Sequence, residues 1–342
     1  MKGVERAALG WANLGGYACA KPPTHSDQKA VFDRAHQLGV RMHDAAIDYG
    51  RGFAEEGLGL AWTAAKIPRN QLRIQSKVLR RIATPAPGQR YREAGLWSCP
   101  EPYASRITTW DWSYSGVMEQ AEESRERLRI DYHDGLSLHD AAEAVEQAGM
   151  RLADLDSGAL AALRDLKQQG LLGEIGVGSK EIHIVLELLR LYPGVFDYLM
   201  IMNYNLLDHH RCIEELIPRC QDSGIRLFLA GPYASGILAS STGEINRLLY
   251  YQQASPEVLH KTELLVQLAR EHGMTSLRPA AVQFVAANRA FSRIVFGGRT
   301  PGEIEENIGN LSYPVPSQFW QRLREAKLDG KPLIHPAAPL PE

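Results

Sequence analysis

The unit that decides the fold lies in residues 157–180, SGALAALRDLKQQGLLGEIGVGSK. Ser157 is a helix-capping residue, and the apolar residues that follow recur at helical spacing until Gly170. After Gly173 comes the short apolar run Glu174–Gly178, which has the length of a buried strand. This stretch therefore predicts a helix followed by a strand.

The same alternation extends over most of the chain. Eight strands separated by helices predict parallel strands joined by crossovers. At 342 residues we expect a closed (β/α)8 barrel, the TIM-barrel type of α/β fold. The rival, an open doubly wound sheet, usually carries GxGxxG after its first strand, and residues 14–17, LGGY, do not fit that pattern. The strand candidates are Leu9–Leu14, Val40–His43, Leu72–Ser76, Asp134–Leu138, Glu174–Gly178, Tyr198–Met202, Arg226–Ala230 and Arg293–Phe296. The helix candidates are Gln28–Leu38 (capped by Ser26 or Asp27), Tyr114–Leu128, 157–169, Pro256–Glu271, Pro279–Asn288 and one opening at Thr300–Pro301.

We expect a single barrel domain over residues 1–342. Residues 80–112 contain several prolines and little periodicity, so they predict a long loop, and long loops in compact domains are usually functional. Residues 330–342 are rich in proline and predict an irregular tail.

Composition excludes several classes of protein. The 38 Lys and Arg residues nearly balance 40 Asp and Glu, which gives a net charge of -2 and predicts neither nucleic acid nor a membrane surface as a partner. No apolar run is long enough to span a membrane, and the first residues do not form a secretion signal. The cysteines lack CxxC spacing, so we expect reduced thiols in a cytoplasmic protein and no bound metal. They are Cys19, Cys99, Cys212 and Cys220.

Polar residues follow three successive predicted strands, where barrel enzymes place their chemistry. Asp44, Lys77 and His139 come at these strand ends, and Tyr49 lies in the loop after Asp44. Each residue alone has an ordinary structural explanation, but together they could meet at one end of the barrel.

The four residue types suit proton transfer at a hydroxyl or carbonyl oxygen. Tyrosine is a weak acid with a pKa near 10, and a neighbouring ammonium favours its phenolate. We therefore expect Lys77, held by Asp44, to lower the pKa of Tyr49, while His139 orients the substrate oxygen. Side chains cannot carry a hydride, so a separate hydride carrier is required.

These residues sit in motifs that resemble the aldo-keto reductase superfamily over nearly the whole chain. The resemblance implies a (β/α)8 barrel that binds NAD(P)(H) without a Rossmann fold, with Tyr49 as general acid/base. Lys77 and Asp44 would tune Tyr49, and His139 would orient the substrate. Within the superfamily the chain resembles the branch of D-threo-aldose (L-fucose), L-galactose and pyridoxal dehydrogenases. The matching motifs are DAAIDYG (44–50) with EEGLG (55–59), SKV (76–78), LHD (138–140), GEIGVG (173–178), and GGRTP (297–301) with Glu306-Asn307; the branch matches at DWSYSGV (111–117), NLLD (205–208), GPYASGIL (231–238) and LIHPAAPLP (333–341).

The cofactor residues follow from the same resemblance. Small residues after the seventh strand let backbone N–H groups approach a pyrophosphate, and the helix at Thr300–Pro301 directs its N-terminus at an anion. Without the family match, a glycine-rich loop of this kind is more often a plain turn. The residues assigned to the cofactor are Ser179, Lys180, Tyr204, Gly231, Pro232, Ser235, Gly236, Gly297, Arg299, Glu303, Glu306 and Asn307.

Two positions depart from the family pattern. Where many relatives carry Asn after the fifth strand, this chain has Ser179-Lys180, and Lys180 either reaches a cofactor oxygen or points to solvent. Arg299 could pair with the 2′-phosphate of NADP, whereas Glu303 favours an unphosphorylated ribose. The sequence leaves NADP and NAD open, with a slight preference for NADP.

Aromatic residues of segment 80–112 are the substrate candidates, because aromatic rings stack on sugars and on pyridine rings. The leading hypothesis is oxidation of the C1 hemiacetal of a small aldose to its lactone. The alternatives are NADPH-dependent reduction of a small aldehyde or ketone, oxidation of pyridoxal, and a nucleotide-binding regulatory subunit. Assembly into a homo-oligomer is left open. The substrate candidates are Trp110, Trp112 and Tyr103, with Trp97 in the same segment.

Overall fold

Eight parallel strands close into a barrel. The computed structural model describes residues 3–85, 97–241 and 243–341. Each barrel strand pairs with two neighbours, and β1 closes the ring by pairing with both β2 and β8. The predicted (β/α)8 fold is therefore confirmed. The barrel strands are β1 (Ala7–Gly10), β2 (Met42–Asp44), β3 (Arg73–Ala83), β4 (His133–His139), β5 (Leu172–Ser179), β6 (Tyr198–Ile201), β7 (Arg226–Ala230) and β8 (Phe291–Phe296).

Helices surround the barrel and connect its strands. The first begins where Thr24 accepts a hydrogen bond from the N–H of Asp27, whose carboxylate bonds back to the N–H of Thr24. The expected cap at Ser26 or Asp27 was thus wrong, because this reciprocal capping starts the helix earlier. Within the described ranges, no helix combines the length and apolarity needed to cross a membrane. The helices are α1 (His25–Gln37), α2 (Phe53–Ala64), α3 (Tyr114–Leu128), α4 (Ala141–Ala148), α5 (Ala159–Gln168), α6 (Ile182–Leu191), α7 (Ile217–Ser223), α8 (Pro256–Glu271), α9 (Arg278–Ala287), α10 (Pro301–Gly309) and α11 (Ser317–Glu325).

Two apolar layers result from this arrangement. The larger core lies between the strands and the helices, where buried Leu, Ile, Val, Ala and Phe side chains predominate. A smaller cluster fills the barrel interior, so the barrel is a packed core and not a pore. The interior cluster consists of Ala8, Met42, Tyr198, Met200, Phe228 and Val295.

The first strand differs from its prediction. It covers Ala7–Gly10, and Asn13–Gly15 form a 3-10 turn, so the expected strand Leu9–Leu14 begins two residues too late and extends too far. The Gly15 backbone packs against Tyr49, and a Cβ there would lie 2.7 Å from the Tyr49 carbonyl carbon. This close approach leaves no room for a side chain at Gly15.

Part of the predicted loop 80–112 is a β-hairpin. Strand β3 continues beyond the barrel to Ala83, and Ile107–Asp111 returns antiparallel to it, pairing from Leu79↔Asp111 to Ala83↔Ile107. The loop prediction was wrong at both ends because the two halves of the ladder are separated in sequence by more than twenty residues. The rest of the predicted loop includes residues 86–96, which lie outside the described residues.

The C-terminal segment lies against the outside of the barrel. It starts with a short antiparallel ribbon of Lys327–Leu328 and Lys331–Pro332, and residues 333–341 contain neither helix nor strand. The Arg324 guanidinium donates to the carbonyl of Ala338 at 2.6 Å. Side chains such as Ile334 are buried, so the segment is packed although it is irregular.

Candidate active site

A buried ion pair anchors the C-terminal end of the barrel. Asp44 ends β2, and its carboxylate accepts a hydrogen bond of 2.7 Å from the Lys77 ammonium on β3. Lys77 also donates to the carbonyl of Ala45 at 2.7 Å. The two side chains are only 3% (Lys77) and 5% (Asp44) exposed. Burial raises the pKa of Asp44, and the charge of Lys77 opposes that rise.

Tyr49 and His139 meet this pair. Tyr49 lies in the turn between β2 and α2, and the Lys77 ammonium is 4.5 Å from the centre of its ring. His139 ends β4, and its ring centre lies 5.7 Å from that of Tyr49, with the rings nearly perpendicular at 84°. The structure thus brings all four predicted side chains together.

The protonation states differ in part from the sequence argument. Burial, followed by the carboxylates of Asp44, Asp140 and Asp48, holds the pKa of Tyr49 well above its ordinary value. The expected lowering by Lys77 is outweighed, so Tyr49 is a phenol at neutral pH. Burial and then the positive charges of Lys77 and Arg80 hold the pKa of His139 well below its ordinary value, so its imidazole is neutral.

A cavity of about 450 Å³ opens above these residues. Tyr49, Lys77 and His139 line it, while Asp44 lies behind Lys77. Its lining combines aromatic rings, methionines and charged side chains. The other lining residues are Ala12, Tyr17, Asp48, Arg80, Trp97, Asp140, Glu143, Gln147, Gly178, Ser179, Lys180, Met200, Met202, Ala230, Tyr250, Tyr251 and Gln252.

Sequence reasoning missed most of the charges along this cavity. The Glu143 carboxylate, in the first turn of α4, accepts 2.7 Å hydrogen bonds from both the Arg80 guanidinium and the Lys180 ammonium. We call Asp48, Arg80, Asp140, Glu143 and Lys180 the charged wall. Lys180 therefore lines the cavity and pairs with Glu143. Burial lowers the pKa of Lys180, but Asp140 and Glu143 outweigh that effect and raise it.

A two-tyrosine turn covers part of the cavity. Tyr250 and Tyr251 connect two short antiparallel strands and have φ of 48° and 70°, a left-handed conformation that aromatic residues rarely adopt. The Tyr250 hydroxyl donates to Asp208 at 2.8 Å, and the Tyr251 N–H donates to the Ser235 hydroxyl at 3.0 Å. Side-chain contacts thus hold the turn over the loop that follows β7.

That loop, residues 231–236, is a compact turn with several left-handed residues. Gly231, Ser235 and Gly236 have φ of 61°, 63° and 100°. The N–H groups of Gly231 and Gly236 donate to backbone carbonyls, so they stabilise the turn itself. Pro232 lies in the same loop. The predicted pyrophosphate residues are therefore placed together at the C-terminal end of β7.

The segment after β8 forms the neighbouring edge. A Cβ added to Gly297 would lie 2.3 Å from the Asn13 side-chain oxygen, so a larger residue would have to displace the end of that side chain. The Asn307 amide donates to the Gly297 carbonyl at 2.9 Å and ties the loop to α10. Thr300 caps α10 through the N–H of Glu303. A glycine loop leading into a helix N-terminus fits the phosphates of a dinucleotide.

Charged residues of this segment are already engaged in ion pairs. The Arg299 guanidinium donates to the Glu303 carboxylate at 2.9 Å, and the Arg299 N–H donates to the same carboxylate at 2.7 Å. Glu306 pairs with Arg278 at 2.8 Å. Any phosphate that approaches Arg299 therefore competes with Glu303.

Two other predicted cofactor residues lie in different surroundings. Ser179 ends β5 and lines the cavity, where its hydroxyl accepts from the N–H of Glu181 at 3.1 Å. Tyr204 is fully buried outside the barrel, and its ring stacks on Phe284 of α9 at 5.2 Å. The cavity lining does not include Tyr204.

The predicted substrate aromatics reach the cavity unequally. Trp97 lines it, whereas Trp110 lies behind the lining with its ring 3.8 Å from the Arg80 guanidinium. Tyr103 is buried against Phe53, and its hydroxyl donates to Glu56. Trp112 packs against the core and does not line the cavity.

One group of side chains outside the cavity has a composition that could bind a metal. Ligand atoms of His210, Glu214 and His335 lie within 4.8 Å of one another. In the structure, however, the His335 Nδ1 accepts a hydrogen bond from the N–H of Ala337 at 3.1 Å, and its Nε2 faces Glu214 at 3.3 Å. This places the ring proton on Nε2, between the two side chains, which is a hydrogen-bonded arrangement.

A closed barrel that gathers a phenol, an ammonium, a carboxylate and an imidazole around one cavity is the architecture of a barrel-fold oxidoreductase. The chain belongs to the aldo/keto reductase family, whose model matches residues 7–327, and it is an oxidoreductase. Enzymes of this family use NAD(P)(H) and act on small carbonyl or sugar substrates.

Several curated relatives cover nearly the whole chain. The D-threo-aldose 1-dehydrogenase of a Pseudomonas species is 27% identical, over 96% of this chain and 97% of the relative. The pyridoxal 4-dehydrogenase of Microbacterium luteolum is 29% identical, over 95% and 94%. The L-galactose dehydrogenase of Arabidopsis thaliana is 25% identical, over 91% and 86%. Their differing substrates do not single out one for this chain.

Solved structures share the fold. An aldo-keto reductase from Bacillus halodurans, solved in a holo form, superposes with a TM-score of 0.67 at 20% identity, covering 97% of this chain and 93% of its own. A glycerol dehydrogenase from Gluconobacter oxydans gives 0.66 at 19% identity, covering 93% and 89%.

Proposed function

We propose that the protein oxidises the C1 hemiacetal of a small aldose to its lactone with NAD(P) as the hydride acceptor. The observation that carries this proposal is the convergence of Tyr49, Lys77, Asp44 and His139 on one cavity. The net reaction converts hemiacetal and oxidised dinucleotide into lactone, reduced dinucleotide and one proton. Similarity to aldose-oxidising relatives supports this substrate class.

Each of the four residues has a distinct task. Tyr49 takes the proton of the C1 hydroxyl as general base and passes it to solvent. Lys77, fixed by Asp44, holds positive charge against the Tyr49 ring and stabilises the phenolate as it forms. His139 is neutral and donates a hydrogen bond to the reacting oxygen. When bound, the oxidised nicotinamide supplies a hydride acceptor and an additional positive charge.

The protonation of Tyr49 favours a second candidate, which is reduction of a small aldehyde or ketone. Because the pKa of Tyr49 is held well above its ordinary value, the residue carries its proton at neutral pH. Reduction uses that acid form, with Tyr49 giving its proton to the carbonyl oxygen. The same site therefore serves both directions, and the supply of reduced dinucleotide selects between them.

The residues present fit a dinucleotide. The N-terminus of α10 would direct its N–H groups at the phosphates. The compact loop 231–236 at the end of β7 would let the dinucleotide approach closely. Ser179 would hold the nicotinamide end, while Lys180 is paired with Glu143. Asn307 and Glu306 would hold the region beside α10. Glu303 forms an ion pair with Arg299, which would otherwise be available to a 2′-phosphate. The pair therefore supports a preference for NAD(H), against the slight preference for NADP predicted from sequence. A cytoplasmic location and assembly into a homo-oligomer remain predictions.

Turnover measured by absorbance of the reduced nicotinamide tests the proposal. Purified protein is incubated with NAD or NADP and a panel of pentoses, hexoses and pyridoxal, and the lactone is identified by mass spectrometry. The proposal expects an aldose to give the highest kcat/KM. Exclusive activity with pyridoxal would contradict it, and tight dinucleotide binding without any turnover would favour a regulatory role.

A further inference from the structure

We propose that the charged wall reads hydroxyl groups on the carbons next to the reacting carbon, so that the enzyme selects α-hydroxylated aldehydes and their hemiacetals. This inference rests on the proposed function, because it places the reacting carbon beside Tyr49 and His139. It adds the residues that recognise the rest of the substrate. Neither the four catalytic residues nor the dinucleotide loops supply that recognition.

Charged groups beside His139 are spaced so that a hydroxyl can bond two of them. The Arg80 guanidinium lies 3.8 Å from the Asp48 carboxylate and 4.0 Å from that of Asp140. The His139 Nε2 lies 3.4 Å from Asp140. The two guanidinium–carboxylate separations exceed a direct hydrogen bond. A hydroxyl placed beside such partners, about 2.8 Å from each, accepts from the cation and donates to the carboxylate at once.

Hydrogen bonds and ring contacts hold the charged wall rigidly. Glu143 uses one carboxylate oxygen for Arg80 and the other for Lys180, which come from β3 and the end of β5. The Arg80 guanidinium rests on the ring of Trp110 at 3.8 Å. Their side chains are between 15% and 25% exposed. The donors and acceptors are therefore fixed before a substrate enters, and Glu143 acts as a positioning residue for Arg80.

The cavity combines aromatic and charged surfaces. The lining includes the rings of Tyr17, Trp97 and Tyr251 as well as the charged wall. A polyhydroxylated molecule presents hydroxyl edges and apolar C–H faces together, which match charges and rings respectively. An unsubstituted alkyl aldehyde would displace water from the wall without replacing its hydrogen bonds. Sites built to bind a hydroxyl reject analogues that lack it by up to about 10⁴–10⁵-fold.

The first test compares matched substrates on the unchanged protein. The best aldose of a pentose and hexose panel is compared with its 2-deoxy counterpart, and glyceraldehyde with propanal in the reductive direction. We expect kcat/KM to fall at least about 100-fold when the neighbouring hydroxyl is absent. Equal values within about threefold would overturn the inference and leave the proposed function intact. Failure of all four substrates would instead contradict the proposed function.

The second test changes the wall. Glu143→Gln and Arg80→Lys are expected to shrink the aldose-to-deoxyaldose ratio of kcat/KM at least about tenfold, since the guanidinium fork loses its position or shape. The matched control is Glu119→Gln, because Glu119 pairs with Arg81 outside the cavity and its loss should leave the ratio unchanged. Circular dichroism verifies folding, and fluorescence titration with NAD verifies dinucleotide binding. A ratio unchanged in either folded wall variant would overturn the inference.

Discussion

Two ion pairs at the C-terminal end of the barrel have nearly the same length and opposite surroundings. Lys77 and Asp44 approach to 2.7 Å with side chains 3% and 5% exposed. Arg299 and Glu303 approach to 2.9 Å with side chains 51% and 36% exposed. The distances alone would suggest equal importance.

Burial separates the roles of the two pairs. Removing one partner of a buried pair leaves an uncompensated charge, whereas an exposed pair contributes at most about 1 kcal/mol. The Lys77–Asp44 pair therefore fixes the geometry around Tyr49. The Arg299–Glu303 pair can be opened at a small cost in free energy, so a ligand can replace Glu303 as the partner of Arg299. The predictions below test this division, beginning with the largest effect.

Removing the phenol that the buried pair supports should have the largest effect. We expect Tyr49→Phe to lower kcat/KM by about 10²–10⁴-fold, the usual contribution of a general acid/base. Dinucleotide affinity, measured by fluorescence titration, should be kept. The matched control is Tyr114→Phe, since Tyr114 is exposed and donates to Asp165. A near-native rate in Tyr49→Phe would remove Tyr49 from the mechanism.

Breaking the buried pair should reduce stability far more than breaking the exposed one. Asp44→Asn leaves Lys77 charged and buried, and should lower the free energy of unfolding by about 3–5 kcal/mol. Glu303→Gln should change it by about 1 kcal/mol or less. Urea denaturation followed by circular dichroism measures both. If the two variants lose similar free energy, burial is not what distinguishes the pairs.

The buried site also predicts a pH dependence. Oxidation requires the Tyr49 phenolate, and the pKa of Tyr49 is held well above its ordinary value. The rate of oxidation should therefore rise with pH, by up to about tenfold per unit below that pKa, from pH 7 to 10. Reduction uses the phenol and should stay flat over the same range. Rate profiles in both directions test this, and an oxidation optimum near pH 7 would assign the proton transfer to another group.

The exposed pair should control dinucleotide choice. Glu303→Gln frees the Arg299 guanidinium for a 2′-phosphate, so affinity for NADP relative to NAD should rise about tenfold, which corresponds to about 1.4 kcal/mol. Glu305→Gln on the same helix is the control, because Glu305 pairs with Arg34. Dissociation constants for both dinucleotides give the answer. An unchanged ratio would show that Glu303 does not read the ribose.

The strand ends were predictable from sequence because parallel strands alternate regularly with helices along the chain. Asp44 and His139 were located by counting such ends, and they lie at the last residues of β2 and β4. Lys77 was found in the same way although β3 continues past it. The roles of the four residues follow from their chemistry and were open to sequence reasoning.

Apart from Lys180, the charged wall was not predicted, and Leu79 explains why Arg80 was missed. Its φ of 91° interrupts the regular alternation of β3. Arg80 consequently lines the cavity, while Arg81 pairs with Glu119 outside. Leucine gives no signal of a left-handed backbone. The position of Glu143 four residues after His139, in the first turn of a helix, is the signal that could have indicated its place.

Tyr204 was predicted to contact the cofactor, but it lies outside the cavity. The residue follows a barrel strand in a segment that resembles the family, yet it packs into the outer core against Phe284 and Phe291. Sequence spacing gives the end of a strand but not the direction of the chain after it. Only the packing of α9 against that segment decides where the ring lies.

The turn at Tyr250 and Tyr251 stores conformational strain above the reaction chamber. Left-handed backbone at residues other than glycine costs on the order of 1–3 kcal/mol, and here the cost is offset by the bonds of Tyr250 to Asp208 and of Tyr251 to Ser235. The turn therefore depends on these two bonds, and losing either would leave the cost of its backbone uncompensated.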